Sequence, residues 1–191
     1  GLGLAIASRL VNLMGGQIDV ESKSNEGSCF SFTLNLPVSM NEIILDEKIM
    51  LPSHLADGYK VLALVVDDNK DNRDVLSGIL ENIGVSVITA DNGQQAVDIT
   101  LRNNPDIVFM DIWMPVMDGL QALGEIIKKC DKNRPKLIAV SASVLQHEKQ
   151  KYFDSGFDSF IAKPVLAEKV YESLASLLHI KYEYDVMQAL G

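Results

Sequence analysis

Several short apolar runs in this chain end on side chains that could handle a phosphate or a cation. The run 107–110 ends on a carboxylate, Asp111. Pro115 stops any regular continuation, and Asp118 can cap a helix whose first turn carries Gly119 and Leu120. A carboxylate at the C-terminal end of an apolar strand stands where open α/β sheets place their chemistry, so Asp111 is a candidate nucleophile. The run 61–66 ends on Asp67-Asp68. Three carboxylates gathered at one sheet edge repel one another, and a hard divalent cation relieves that repulsion. Mg²⁺ suits such a set, because it takes oxygen ligands and keeps several waters. Capping of a helix beginning near Asn69 is the alternative use of the same pair.

Two further strand ends complete the constellation. The run 136–140 leads into Ser141-Ala142-Ser143. A hydroxyl there can donate to a phosphoryl oxygen or cap the next helix, and Ser143 is placed for the second role. The run 159–161 leads into Lys163-Pro164. Proline at that point commonly starts a helix and holds the preceding residue extended, which aims Lys163 along the sheet edge as a point charge. Each residue alone has an ordinary structural reading, as cap or solvated charge. Their joint fall on four strand ends favours chemistry.

The elements that must position them follow from hydrophobic periodicity. Strands are expected at 61–66, 86–89, 107–110, 136–140 and 159–161, with helices near 69–82, 93–103, 118–129, 144–155 and 165–178. Val75, Leu76, Ile79, Leu80 and Ile83 form one helical stripe. Five alternating strand–helix units imply an α/β fold, a doubly wound parallel sheet of five strands covered on both faces. The expected strand order is 2-1-3-4-5, of flavodoxin-like type, with the first and third strands adjacent at the switch point. That adjacency sets Asp67 and Asp68 beside Asp111.

The first 37 residues form a different unit. Residues 4–14 carry apolar side chains at helical spacing, and Gly15-Gly16 ends the helix where a cap needs positive φ. Runs 17–22 and 28–36 read as an antiparallel hairpin turned at Asn25-Glu26-Gly27, with Phe30, Phe32, Leu34 and Leu36 on alternate positions. One helix and one hairpin bury little apolar surface, so a partial α+β domain is expected here. Residues 38–58 read as a linker with a short helix near 41–48, and 181–191 as a tail. His54, His147 and His179 read as exposed histidines.

Composition limits the partners. With 47% apolar and 23% charged residues the chain reads as an ordinary globular protein. A net charge of −9 argues against nucleic acid and acidic lipid. No apolar run approaches the roughly 20 residues of a membrane span, and the N-terminal stretch given does not read as a signal peptide. The isolated Cys29 and Cys130 fit a reducing, cytoplasmic setting. Beginning on a glycine motif without an initiator Met, the chain reads as a fragment of a longer protein.

Residues 59–180 resemble a response-regulator receiver domain of the kind fused to hybrid histidine kinases. The resemblance rests on Val65-Val66-Asp67-Asp68-Asn69, on the stretch from Asp111 through Trp113, Pro115 and Asp118 to Gly119, on Ser141-Ala142 and on Phe160-Ile161-Ala162-Lys163-Pro164. It implies that Asp111 accepts a phosphoryl group from phosphohistidine. It also implies Mg²⁺ held by Asp67, Asp68, Asp111 and the backbone carbonyl of Trp113, with Ser141 and Lys163 on the phosphoryl oxygens. Phe160 then occupies an aromatic switch position, and without a hydroxyl its switch should rest on packing alone. Trp113 is expected to overhang the phosphoryl group and limit attack by water.

Residues 1–37 resemble the C-terminal part of the ATP-binding domain of sensor histidine kinases. Gly1-Leu2-Gly3-Leu4 stands at the family's last glycine box, and Gly15-Gly16 and Gly27-Ser28-Cys29-Phe30 at the segments that follow it. Such a box sets backbone N–H groups and a helix N-terminus against nucleotide phosphates. The family's asparagine box and first glycine box are not in this sequence, so ATP binding is expected of the full-length parent. The implied function is a two-component phosphorelay, with a histidine-phosphotransfer domain or the kinase's own phosphohistidine as partner. The first receiver helix, with Val75, is the expected docking face. Two alternatives remain: a haloacid-dehalogenase-like phosphatase, which needs a second Asp where this chain has Trp113, and a receiver-like binding module that is not phosphorylated.

Overall fold

The computed structural model describes residues 2–23, 27–35, 52–130, 134–142 and 146–184. Gly1, the turn residues Asn25 and Glu26, Leu36-Pro37, the expected helix near 41–48 and Ser143 lie outside them, as does the side chain of His147. The chain divides into two compact units, Gly1–Glu47 and Lys48–Gly191.

In the first unit, α1 (Leu2–Leu13) is followed by β1 (Gln17–Lys23) and β2 (Gly27–Thr33), which pair antiparallel with Asp19 opposite Ser31. Gly15 takes a φ of 80°, the left-handed turn that ends the helix. The expected half-burial of the second strand is not realised. Phe30 and Phe32 are both more than half exposed, and so are Leu10 and Leu13 on the helix. The alternation is sufficient to pair two strands, but one helix cannot cover the face they present.

The second unit holds five parallel strands, β4 (Leu62–Val66), β5 (Ser86–Ala90), β6 (Ile107–Asp111), β7 (Lys136–Ser141) and β8 (Ser159–Ala162). Their spatial order is β5-β4-β6-β7-β8, the expected 2-1-3-4-5. The connecting helices are α2 (Lys70–Glu81), α3 (Gly93–Asn103), α4 (Gly119–Cys130), α5 (Gln146–Ser155) and α6 (Ala167–Leu178). Alternate residues along each strand supply two separate cores. Ala63, Val65, Ile107, Phe109, Ile138 and Val140 pack with Leu76, Leu80 and Ile83 of α2 and its exit turn, and with Val170 and Leu174 of α6. Leu64, Val66, Val108, Met110, Leu137 and Ala139 pack with Ala96 and Val97 of α3, Leu123 and Ile126 of α4, and Tyr152 of α5. Near-continuous apolar strands are what a sheet covered on both faces requires.

Polar side chains tie the opposite edge of the sheet. Asp106 Oδ2 accepts from Leu62 N at 2.8 Å. Asp158 Oδ2 accepts from Leu137 N at 2.9 Å and from Arg134 Nη1 at 2.6 Å. The structure also departs from the expected linker and tail. Pro52–Leu55 forms β3 and pairs antiparallel with β9 (Tyr182–Tyr184), Leu55 standing opposite Tyr182. Leu55 N donates to Ile83 O at 2.9 Å, and the partly buried Leu55 and Tyr182 pack on the core shared by α2 and α6. Two segments of four and three residues escape a periodicity argument, because they are shorter than the window it needs.

Candidate functional site

Register alone brings the carboxylates together. Val66 stands opposite Met110 on the adjacent β4 and β6, so the next residues, Asp67 and Asp111, share one level of the sheet edge. Asp111 stands opposite Val140, and Ser141 opposite Ala162, which carries Ser141 and Lys163 to the same edge. Asp67 and Asp111 are buried and Asp68 is exposed. Carboxylate oxygens of all three lie within 4.8 Å of one another. That donor set of hard oxygens fits a divalent cation such as Mg²⁺.

Lys163 crosses the cluster. Its Nζ donates to Asp67 Oδ2 at 2.7 Å and to Asp111 Oδ2 at 2.8 Å. Burial raises the pKa of Asp111 above the ordinary carboxylate range, with the ammonium of Lys163 pulling the other way. Burial also works against the Lys163 ammonium, yet its hydrogen bonds to Asp111 and Asp67 prevail and hold its pKa above the usual value. The Lys163-Pro164 peptide bond is cis, and the following helix starts at Ala167 rather than at the proline. Its N-cap, Leu166, makes no side-chain cap hydrogen bond.

The capping alternative for Asp67-Asp68 is answered by their neighbour. Asn69 is the N-cap of α2, its side chain accepting from Asp71 N at 2.8 Å. Asp118 does cap as expected: Oδ1 accepts from Gln121 N at 2.8 Å. A Cβ on Gly119 would run into the backbone carbonyl of Asp111, so only glycine lets α4 begin this close to the strand end. Between them, Met117 N donates to Pro115 O at 2.8 Å around Val116, whose φ is 68°. This three-residue turn is a strained one for a β-branched residue.

Trp113 follows Asp111 by two residues, and its backbone N reaches Asp111 Oδ1 at 3.4 Å. Its side chain is 74% exposed, free of the core and open at the site's rim. Phe160 is half-buried and stacks on Tyr152 with ring centroids 5.9 Å apart. Lys149 Nζ stands 5.0 Å from the same ring centroid. Contrary to what its lack of a hydroxyl suggests, Phe160 therefore does not rest on packing alone, because the Lys149 ammonium adds a cation–π contact. Ser141 is 1% exposed, and its backbone O accepts from Lys163 N at 2.9 Å. Leu2, Gly3 and Leu4 lie in the first turn of α1, in the other unit.

Sequence reasoning missed two residues of the site. Asn72 Nδ2 lies 3.1 Å from both Asp67 Oδ1 and Asp67 Oδ2. Arg73 Nη1 donates to Asp67 O at 2.6 Å. The signal was helical spacing, because positions 69, 72 and 73 share the face of α2 that looks back toward Asp67. Beside them an apolar groove of about 250 Å³ opens between Val75, Leu76, Pro164 and Val165.

Comparison with known proteins agrees with this geometry. Residues 1–38 match the family of histidine kinase-, DNA gyrase B-, and HSP90-like ATPases. The aerobic respiration control sensor protein ArcB of Escherichia coli (strain K12) is 35% identical over 169 residues, 86% of this chain and 21% of ArcB. The sensory/regulatory protein RpfC of Xanthomonas campestris pv. campestris (strain 8004) is 29% identical over 203 residues, 93% of this chain and 28% of RpfC. The chain thus spans less than a third of the length of either relative. Among solved structures, the receiver domain of the sensor histidine kinase PA1611 from Pseudomonas aeruginosa PAO1 has magnesium coordinated in its active site cleft. It superposes with a TM-score of 0.58 at 29% identity, over 63% of this chain and 99% of that one. The co-crystal of the Saccharomyces cerevisiae phosphotransfer protein Ypd1 with the receiver domain of Ssk1 gives a TM-score of 0.59 at 28% identity, over 62% of this chain and 88% of that one. Residues 63–175, more than half of the chain, match the response regulator receiver domain, and the chain belongs to that family.

Proposed function

We propose that this chain works in two-component phosphorelay signalling, with Asp111 as the group that takes the phosphoryl from a phosphohistidine. The observation that carries the reading is the set of three carboxylates within 4.8 Å, two of them bridged by Lys163. In the transfer, a carboxylate oxygen of Asp111 forms the new O–P bond. The P–N bond to the donor imidazole breaks, and its electron pair leaves with the ring nitrogen. Asp67, Asp68, Asp111 and the backbone carbonyl of Trp113 would hold Mg²⁺, which supplies charge neutralisation when bound. Lys163 and Ser141 meet the phosphoryl oxygens. Asp111 is a weak nucleophile, and position and charge do most of the work. The acyl phosphate then draws on Ser141 and the Phe160 ring and changes the surface formed by α5 and β8.

The phosphohistidine donor is a histidine-phosphotransfer domain or a kinase. The groove beside Asp67 and Lys163 supports this, with exposed Val75 at its edge on α2. Residues 59–180 are the receiver, and 1–37 the end of an ATP-binding domain, in which Gly1, Leu2, Gly3 and Leu4 would face nucleotide in the longer parent. The order of the two matched segments, ATPase and then receiver, supports a hybrid sensor kinase as that parent. A cytoplasmic setting follows from this reading. Among the described residues no helix is long and apolar enough to cross a membrane.

The test is labelling with acetyl phosphate. Mg²⁺-dependent, alkali-labile incorporation that is lost in Asp111→Asn is expected. Steady turnover of varied phosphate esters would instead indicate a phosphatase, and no incorporation at all would sink the phosphorelay reading.

A further inference from the structure

Asp67 is held from several sides. Its Oδ1 accepts from Asn69 N at 2.9 Å and from Asn72 Nδ2 at 3.1 Å. Its Oδ2 accepts from the same Asn72 nitrogen at 3.1 Å and from Lys163 Nζ at 2.7 Å. An ionised carboxylate can only accept, so the amide nitrogen of Asn72, not its oxygen, must face it. Equal distances to the two oxygens place that nitrogen in the notch between them. A cation ligated by both oxygens of one carboxylate occupies the same notch. Arg73, one residue on, holds the Asp67 backbone carbonyl at 2.6 Å and keeps the main chain from swinging the carboxylate away. Asn72 has no part in capping α2, which Asn69 does.

We propose that Asn72 is a specificity-determining positioning residue: by filling the notch of Asp67 it denies that carboxylate bidentate ligation and biases the acidic cluster toward Mg²⁺ over Ca²⁺. The inference rests on the cation reading above. Its physical basis is the different demand of the two ions. Mg²⁺ requires near-octahedral coordination, keeps waters and is served by single carboxylate oxygens. Ca²⁺ takes more ligands in looser geometry and gains from carboxylates that bind through both oxygens. A donor in the notch costs Mg²⁺ little and orients the remaining lone pairs, as a hydrogen bond to a ligating carboxylate generally does. For Ca²⁺ the same donor removes one ligand.

Trp113 is the chain's single tryptophan and lies two residues from Asp111, so its fluorescence can report cation binding. The 191-residue protein is titrated separately with Mg²⁺ and Ca²⁺, as wild type, Asn72→Ala and Asn72→Leu. Leucine matches asparagine in shape without the donor, and the exposed helical position tolerates both changes. Urea unfolding of each variant confirms an intact fold. The expected result is a fall of about tenfold in the ratio of Mg²⁺ to Ca²⁺ affinity in both variants. Equal losses for the two ions, or no change in either, overturn the assignment, because orientation alone or no role at all would then be left. A wild type that binds neither ion overturns the underlying cation reading, and the assignment with it.

Discussion

Lys163 Nζ lies 2.8 Å from Asp111 Oδ2, joining the ends of two strands that are not neighbours in the sheet. The ammonium neutralises a buried carboxylate and stands where a transferred phosphoryl group would need positive charge. It also competes with a divalent cation for the same oxygens. Lys163→Met is therefore expected to have two opposite effects. Phosphorylation by acetyl phosphate should slow by about 100-fold, the usual cost of removing one preorganised donor from a charge-developing site. Mg²⁺ affinity should rise by several-fold, because a neighbouring like charge has gone. Rapid-mixing fluorescence and equilibrium titration measure the two separately, and weaker Mg²⁺ binding in the variant would contradict the competition.

Trp113 is expected to bear on a different property, the lifetime of the phosphorylated state. Its side chain is 74% exposed while its backbone N contacts Asp111, so the ring is available to shield whatever is attached to that carboxylate. Trp113→Asn should accelerate phosphate release from the phosphorylated protein by about tenfold, equivalent to about 1.4 kcal/mol of barrier. Release is followed with a phosphate-binding sensor after the donor is removed. A variant no faster than wild type would show that the ring does not limit water.

The sheet order and the four strand ends were legible in the sequence because both follow from rules of one period. Strand runs of three to six residues separated by helical stripes leave little choice of topology, and the candidate site residues lie just past their ends. Other features depend on groups that periodicity does not register. Asn72 and Arg73 sit on a helix, and their partner is fixed only when the α2 entry turn is known. Lys149 finds the Phe160 ring through tertiary packing of α5 on β8. The strands β3 and β9 pair across 130 residues of chain, as the Ser53 Oγ to Glu183 O hydrogen bond shows, and neither carries an amphipathic pattern long enough to read.

Asp158 gives the fold a pH dependence away from the cation cluster. Burial opposes its ionisation, but hydrogen bonds from Arg134 and Leu137 N outweigh that and hold its pKa below the usual value. The unfolded chain, with an ordinary pKa of about 3.9, then binds more protons than the folded one at mildly acidic pH. Stability from this group is present above that value and is lost as pH falls through the depressed folded pKa. Asp158→Asn should cost about 2 kcal/mol at pH 7, the worth of hydrogen bonds to a charged group. Urea unfolding at pH 7 and near pH 3 should show the gap between wild type and variant closing in acid. A gap that is the same at both values would mean the charge is not what matters.

Tyr182 joins β9 to the main body of the receiver. Its hydroxyl donates to Tyr171 O at 2.8 Å, the two rings lie 6.0 Å apart, and burial holds its pKa well above the ordinary phenol value. Tyr171 in turn reaches Ile79 O of α2 at 3.4 Å, so a residue outside the five-stranded sheet braces the contact between α2 and α6. Tyr182→Phe removes the hydroxyl alone and should cost about 1 kcal/mol. Tyr182→Ala also empties a packed site and should cost about 3 kcal/mol or more. Hydrogen exchange offers the sharper test. If β9 fastens β3, Tyr182→Ala should speed exchange at Ala56 N and Leu55 N, whose acceptors are Lys181 O and Ile83 O, while amides of β6 remain protected. Unchanged exchange at those two amides would show that β3 is held by α2 without help from the C-terminal strand.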